Sequence, residues 1–207
     1  MTDVRELLAR LNPTTIRMDI GTGSGGGVDA LTNIDIAGAL GMVPAGLGRD
    51  LLELLHGPNP SRADIFRSFE GAVRVAMEER ARRLNEYFDA KTTLGIADCI
   101  AKFHRDRSEA GRRNIGILRA RVSVAHDRLF PDRLEERLPD ITAVCIGHMR
   151  GERLSNRERA AAIGVSDSSY REAWAGVVDW LLARLVEAEQ QAACRLRKAV
   201  DPNTALS

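Results

Sequence analysis

The stretch from Arg153 to Leu185 reads "RLSNRERAAAIGVSDSSYREAWAGVVDWLLARL", and its reading decides the fold class of this chain. Ser155 stands where it can cap a short helix over Asn156 to Ile163, Gly164 where it can make a tight turn, and Ser166 where it can cap a second helix. A capping serine offers its side-chain oxygen to backbone N–H groups that the first helical turn leaves unpaired, and glycine accepts the left-handed backbone such a turn requires. A helix-turn-helix also needs a small residue where its two helices cross and apolar residues on either side of the turn. Ala160, Ile163, Val165, Tyr170 and Ala173 stand at those intervals, and Pro139 to His148 supply a preceding helix. Trp174, Val177, Leu181, Leu185 and Ala188 then continue one apolar stripe, widened by Val178 and Leu182, so the second helix must pack on the rest of the chain or on a partner.

In that geometry the start of the second helix faces outward, and Ser166, Asp167, Ser168, Ser169, Arg171 and Glu172 point toward base edges while the first helix crosses the phosphates. Arginine can read guanine with two hydrogen bonds, and an acid can accept from cytosine N4. Phosphate positioning falls to Arg153, Arg157 and Arg159, with Arg112 and Arg113 as a second contact. Double-stranded DNA is the expected partner. The plain alternative is an αα-corner whose polar residues simply face solvent.

Working outward, Ser61 can cap a long helix in which Ile65, Phe66, Phe69, Val73, Met77, Leu84 and Phe88 keep helical spacing as far as Asp89. Two further helical runs are expected, from Leu94 to Arg107 and from Ala110 to Phe130. Leu31 to Pro58 reads as two short helices, one through Ile34, Ala37 and Leu40 and one through Leu47, Leu51, Leu54 and Leu55, stopped by Gly57-Pro58. No strand signal of convincing length is present, so the fold is all-α. Val4, Leu7, Leu8 and Leu11 make a short amphipathic helix ended by Asn12-Pro13. The expected organisation is a flexible N-terminal arm and Gly-rich linker (1–30) that can be removed without loss of the body, a helical body with a basic centre (31–138), and a helix-turn-helix with a long C-terminal helix (139–207).

The linker contains "MDIGTGSGGGVDAL", Met18 to Leu31, in which Gly21, Gly23 and Gly26 satisfy G-x-G-x-x-G. With "NIDI" (Asn33 to Ile36) as a following strand, this is the pattern of an S-adenosylmethionine-dependent methyltransferase. A phosphate- or cofactor-binding loop opens a crossover helix of about ten residues or more. Only Val28 to Asn33 separate the glycines from that strand, which is too little, so a mobile tether is the better reading.

Charged residues make up 29% of the chain and the net charge is +1, but the charge is uneven. Residues 1–60 hold four Arg against seven acids, residues 61–137 seventeen bases against thirteen acids, and the remainder balances. Lys102 to Arg121 carries Lys102, Arg105, Arg107, Arg112, Arg113, Arg119 and Arg121 against only Asp106 and Glu109, which favours contact with a polyanion; a solvated helix face is the alternative. Cys99, Cys145 and Cys194 form no C-x-x-C, and Cys145 with His148 at i, i+3 is half of a metal site at most. A half-buried cysteine beside a surface histidine accounts for that pair. No nucleophile, base and acid arrangement is legible, so a non-enzymatic protein with neither cofactor nor metal is expected, without a membrane span and in the cytoplasm of a bacterial host.

Two segments resemble a known family. "LTNIDIAGALGMVPAGLG" (Leu31 to Gly48) is similar to the N-terminal part, and "SSYREAWAGVVDWLLARLVEAEQQAACRLRKAV" (Ser168 to Val200) to the C-terminal helices, of the lambda-type bacteriophage late-gene antitermination protein Q family. The paired C-x-x-C zinc motifs of that family have no counterpart between Ala110 and Pro139, and zinc is not carried over. A second class of phage antiterminators, with a sigma-like helix-turn-helix, is a weaker likeness at the C-terminal end. The resemblance implies a regulator that binds DNA near a late promoter, engages RNA polymerase and its sigma factor there, and lets it read through pauses and terminators. The alternatives are a helix-turn-helix regulator that acts only by occupying DNA, and the methyltransferase.

Overall fold

A computed structural model of the chain describes residues 8, 33–57, 62–103 and 109–200. Among the described residues every regular element is helical: α1 (Asn33–Met42), α2 (Leu47–His56), α3 (Arg62–Phe103), α4 (Glu109–Asp127), α5 (Leu134–Met149) and α6 (Asn156–Ile163). A final continuous helix follows, made of α7 (Asp167–Ser169), a π-helical turn (Tyr170–Trp174) and α8 (Ala175–Val200). None of the helices described is long and apolar enough to cross a membrane. Asn33–Ile36, which the methyltransferase reading requires as a strand, opens α1 instead. The glycine-rich stretch, the Ser61 cap, Arg105, Arg107 and the last seven residues lie outside the described residues.

The apolar stripe of α8 organises the core, and α1, α2 and α5 pack around it. Val177, Val178, Leu181 and Leu185 are buried with Ile141, Val144 and Cys145 of α5 and with Leu51 and Leu54 of α2. Each fully buried leucine contributes about 1.5–3 kcal/mol of transfer free energy, which makes this cluster the main support of the fold. It also crosses the expected division at residue 138, which falls inside α5. Close approach of α2 to α8 depends on a missing side chain: a Cβ at Gly48 would strike the Ala188 carbonyl and the Ala192 methyl.

A second cluster joins Ala39, Val43 and Leu52 to Ala192, Ala193 and Leu196, and it contains Leu8. Leu8 is 1% exposed. The separable-arm expectation is corrected at this residue, because its side chain is seated in the core rather than held ready for a partner.

The helix expected to stop at Asp89 continues to Phe103. Its continuation follows from partnership with α4. Tyr87, Ala90, Leu94, Ala97 and Ala101, at alternating spacings of three and four, are partly buried along one side of α3, and Ile115, Leu118, Val122 and Ala125 answer them on α4. The threonines that weaken a helix in isolation are accommodated, with the Thr93 hydroxyl donating to the Asp89 carbonyl at 2.8 Å. Conversely, α4 stops at Asp127 and leaves Phe130 beyond its end. That ring is buried edge-on against Trp180 at 5.2 Å between centroids, with the Arg83 guanidinium 4.1 Å above it. Arg83 also donates to the Arg128 carbonyl at 2.8 Å and to Glu79 at 2.8 Å, so it ties the α3–α4 hairpin to the core.

α5 begins at Leu134, five residues before Pro139. Leu134 and Leu138 are fully or almost fully buried, and this apolar gain outweighs the hydrogen bond that the proline removes from the second turn.

Candidate functional site

The site is built on α6, the turn after it and α7. α6 opens on Ser155, whose Oγ accepts from the Glu158 N–H at 3.3 Å while the Ser155 N–H donates to Glu158 Oε2 at 2.8 Å. This reciprocal cap satisfies two orphan donors at once. The Ser155 hydroxyl and N–H together hold the Glu158 carboxyl below its ordinary range.

At its other end α6 closes on Gly164 at φ 75° and ψ 37°. The Gly164 N–H donates to the Ala161 carbonyl at 3.1 Å and the Val165 N–H to the Ala160 carbonyl at 3.0 Å, the paired bonds of a Schellman end. Arg137 of α5 reaches the last carbonyl of α6, Nη1 donating to Ile163 O at 3.0 Å. Ser166 then caps α7, its Oγ accepting from the Ser169 N–H at 3.2 Å. Ala160, Ile163, Tyr170 and Trp174 are buried in the main core. The turn is therefore held at both helix ends and from beneath.

Ala173, expected in that miniature core, is exposed, and Trp174 takes the inward place. The π-helical turn over Tyr170–Trp174 explains the change. A wider turn carries one residue more than an α-helical turn, which sets Trp174 in line with Tyr170 and rotates Ala173 outward.

The expected site residues separate into three groups. Ser166, Ser168, Arg171 and Glu172 are exposed, as are Arg153 and Arg157, while Asp167 and Ser169 are half-buried. These eight share the surface of α6, α7 and the adjoining turns. Arg171 is paired with Asp167 at 2.6 Å. An exposed pair of this kind is worth about 0.2–1 kcal/mol, so it aligns the guanidinium without committing it. Arg159 is drawn inward: its side chain is 17% exposed, Nη1 is 4.0 Å from Asp179, and Nη2 is 3.4 Å from His148 Nδ1. On this geometry Arg159 is less open to a phosphate than Arg153 and Arg157. Arg112 and Arg113 are exposed on α4, which packs on α3. They lie roughly 22 Å along α4 from Asp127, on a different element from the capped turn.

Sequence reading missed Arg137, whose role depends on a neighbour 26 positions away, and Arg150, exposed at the end of α5 beside Arg153. Only the density of arginines between 150 and 159 hints at the second. Cys145 and His148 take different partners, His148 Nδ1 lying 3.4 Å from Arg159 Nη2. The Cys145 thiol is fully buried and donates to the Val178 carbonyl at 3.6 Å, and burial pushes its pKa up to about 12. Among the described residues no group of three or more His, Cys, Asp or Glu side chains is arranged to hold a metal ion.

Comparison of the chain with protein-family models, with curated proteins and with solved structures finds no match.

Proposed function

We propose that this chain is a DNA-binding transcription regulator in which α6, the Gly164 turn and α7 act as a helix-turn-helix. The observation that carries the reading is the doubly capped turn, which presents Ser166, Ser168, Arg171 and Glu172 on the exposed side of a helix whose other side is locked in the core. A recognition helix needs this combination, since base readout requires side chains held in register by a rigid support. Arg153 and Arg157 flank it as phosphate contacts, with Arg150 beside them. Breaking the Arg171–Asp167 pair costs less than the about 1–3 kcal/mol that a bidentate arginine–guanine contact returns.

Within that class the resemblance of Leu31 to Gly48 and Ser168 to Val200 to the lambda-type antitermination proteins favours an antiterminator, one that loads on RNA polymerase with its sigma factor near a late promoter. The test is transcription in vitro on templates that carry the DNA flanking this gene, a promoter and a downstream terminator. Increased readthrough that requires the bound DNA element supports the antiterminator. Site occupancy with unchanged readthrough reduces the function to a regulator acting by occupancy, and absence of sequence-specific binding to any flanking fragment rejects both.

A further inference from the structure

We propose that the α3–α4 hairpin is a homodimerisation element, in which the open face of one hairpin docks on the same face of a second copy to complete a four-helix bundle. Beside the seam that joins the two helices lies an open groove of about 620 Å³, lined by Glu86, Asp89 and Thr93 from α3 and by Ile117, Arg121, Val124 and Arg128 from α4. Ile117 is 56% exposed and Val124 50%, and Ile96 and Ile100, three and seven residues beyond Thr93, carry the α3 stripe on toward the tip. Two helices packed only on each other leave such a face uncovered, and a second pair covers it.

The occupant follows from the charges. At one level of the groove the α3 side is acidic, through Glu86 and Asp89, and the α4 side is basic, through Arg121 and Arg128. A two-fold axis parallel to the helices sets α3 against the partner's α4, so each acid edge meets a basic edge twice while Ile117 and Val124 meet across the centre. A two-fold axis across the helices instead lays α3 on α3, where the carboxylates face isoleucine or one another. Isologous contacts must be self-complementary, and this face carries both halves of the complement. A polyanion would be repelled by Glu86 and Asp89, and a lipid surface would have to bury them. Glu86 already pairs with Arg82 on its own helix, which leaves Asp89 and Arg121 as the cleaner probes.

The test is sedimentation velocity on the full chain between about 1 and 100 µM, the range in which a modest protein interface dissociates. The expected result is a reversible dimer. Val124→Glu should give a monomer of unchanged helical content. Asp89→Arg and Arg121→Asp should each weaken the dimer by roughly tenfold or more through like-charge contacts, and the two together should restore it. A chain monomeric at every concentration, a dimer indifferent to Val124→Glu, or a charge swap that fails to restore association overturns the proposal. Because Asp89 and Arg121 line the same groove of one copy, the decisive arm is a mixture of the two single variants: Asp89→Arg and Arg121→Asp chains should associate with each other although neither self-associates, which a repair within one copy cannot imitate, and failure of the mixture to associate overturns the proposal.

Discussion

Arg137 and Gly164 are coupled through one atom. Arg137 Nη1 donates to the Ile163 carbonyl at 3.0 Å, and a Cβ added at Gly164 would lie 2.6 Å from that same nitrogen. Gly164 is therefore required for its left-handed backbone, and a Cβ there would also have to push the flexible end of Arg137 off the Ile163 carbonyl. Gly164→Ala should cost at least about 1–2 kcal/mol from the backbone alone. Arg137→Ala should cost about 1–3 kcal/mol by stripping the carbonyl of a charged donor. In urea unfolding the double variant should be less destabilised than the sum of the two, since removing Arg137 frees the space. Strict additivity would show that the two residues do not meet.

Leu8→Ala should destabilise the protein by about 2–5 kcal/mol, the usual penalty for truncating a fully buried leucine. Its neighbours Val43, Leu52 and Leu196 belong to three parts of the chain, so the loss should appear as a lowered thermal midpoint of the whole molecule. An unchanged midpoint would return Leu8 to a dispensable arm.

In DNA binding, Arg171→Ala should weaken affinity by about 1–3 kcal/mol at one base pair and relax discrimination there. Arg157→Ala should weaken all sequences alike and lower the salt slope by about one. A titration series over single-base variants of the bound site separates the two. Equal, sequence-blind losses would remove the helix capped by Ser166 from the role of reader.

Glu79 accepts from Arg82 and Arg83, and these bonds, led by that from Arg82, hold its pKa down to about 2 against an ordinary 4.5. A carboxyl whose pKa is lower in the folded state adds stability that is complete above its unfolded pKa and is lost as pH falls toward the folded one. The Glu79 contribution should therefore fade between pH 4.5 and 2. Comparing urea midpoints of the wild type and Glu79→Gln across that window isolates it: the gap should be widest near neutrality and shrink with acid. A constant gap would mean that the carboxylate's charge is not what Arg82 and Arg83 hold.

At about pH 8, where an ordinary thiol is partly ionised, the three cysteines should react unequally. Cys99 and Cys194 are exposed and should label quickly, whereas Cys145 is buried with its pKa pushed up to about 12 and should label only on unfolding. Counting thiols before and after adding denaturant reads this directly. Fast reaction of all three would place Cys145 at a surface.

The helix ends in the C-terminal third were legible in the residues themselves. Ser155, Gly164 and Ser166 stand where they were expected to stand, because capping is settled among atoms three or four positions apart and needs no distant partner. The helical class was legible for the same reason, since periodicity is a local property. What lay in the fold alone was every decision taken between distant residues. α3 runs on past Asp89 because α4 lies along it; Arg159 turns inward because Asp179 and His148 receive it; Leu8 is core because α1, α2 and α8 meet around it; Trp174 displaces Ala173 because a π turn re-registers the helix on its bed. Local chemistry determined the capped helix ends at Ser155, Gly164 and Ser166, and tertiary packing, which sums weak contacts over the whole chain, decided how far α3 runs and which helix faces remain open to a partner.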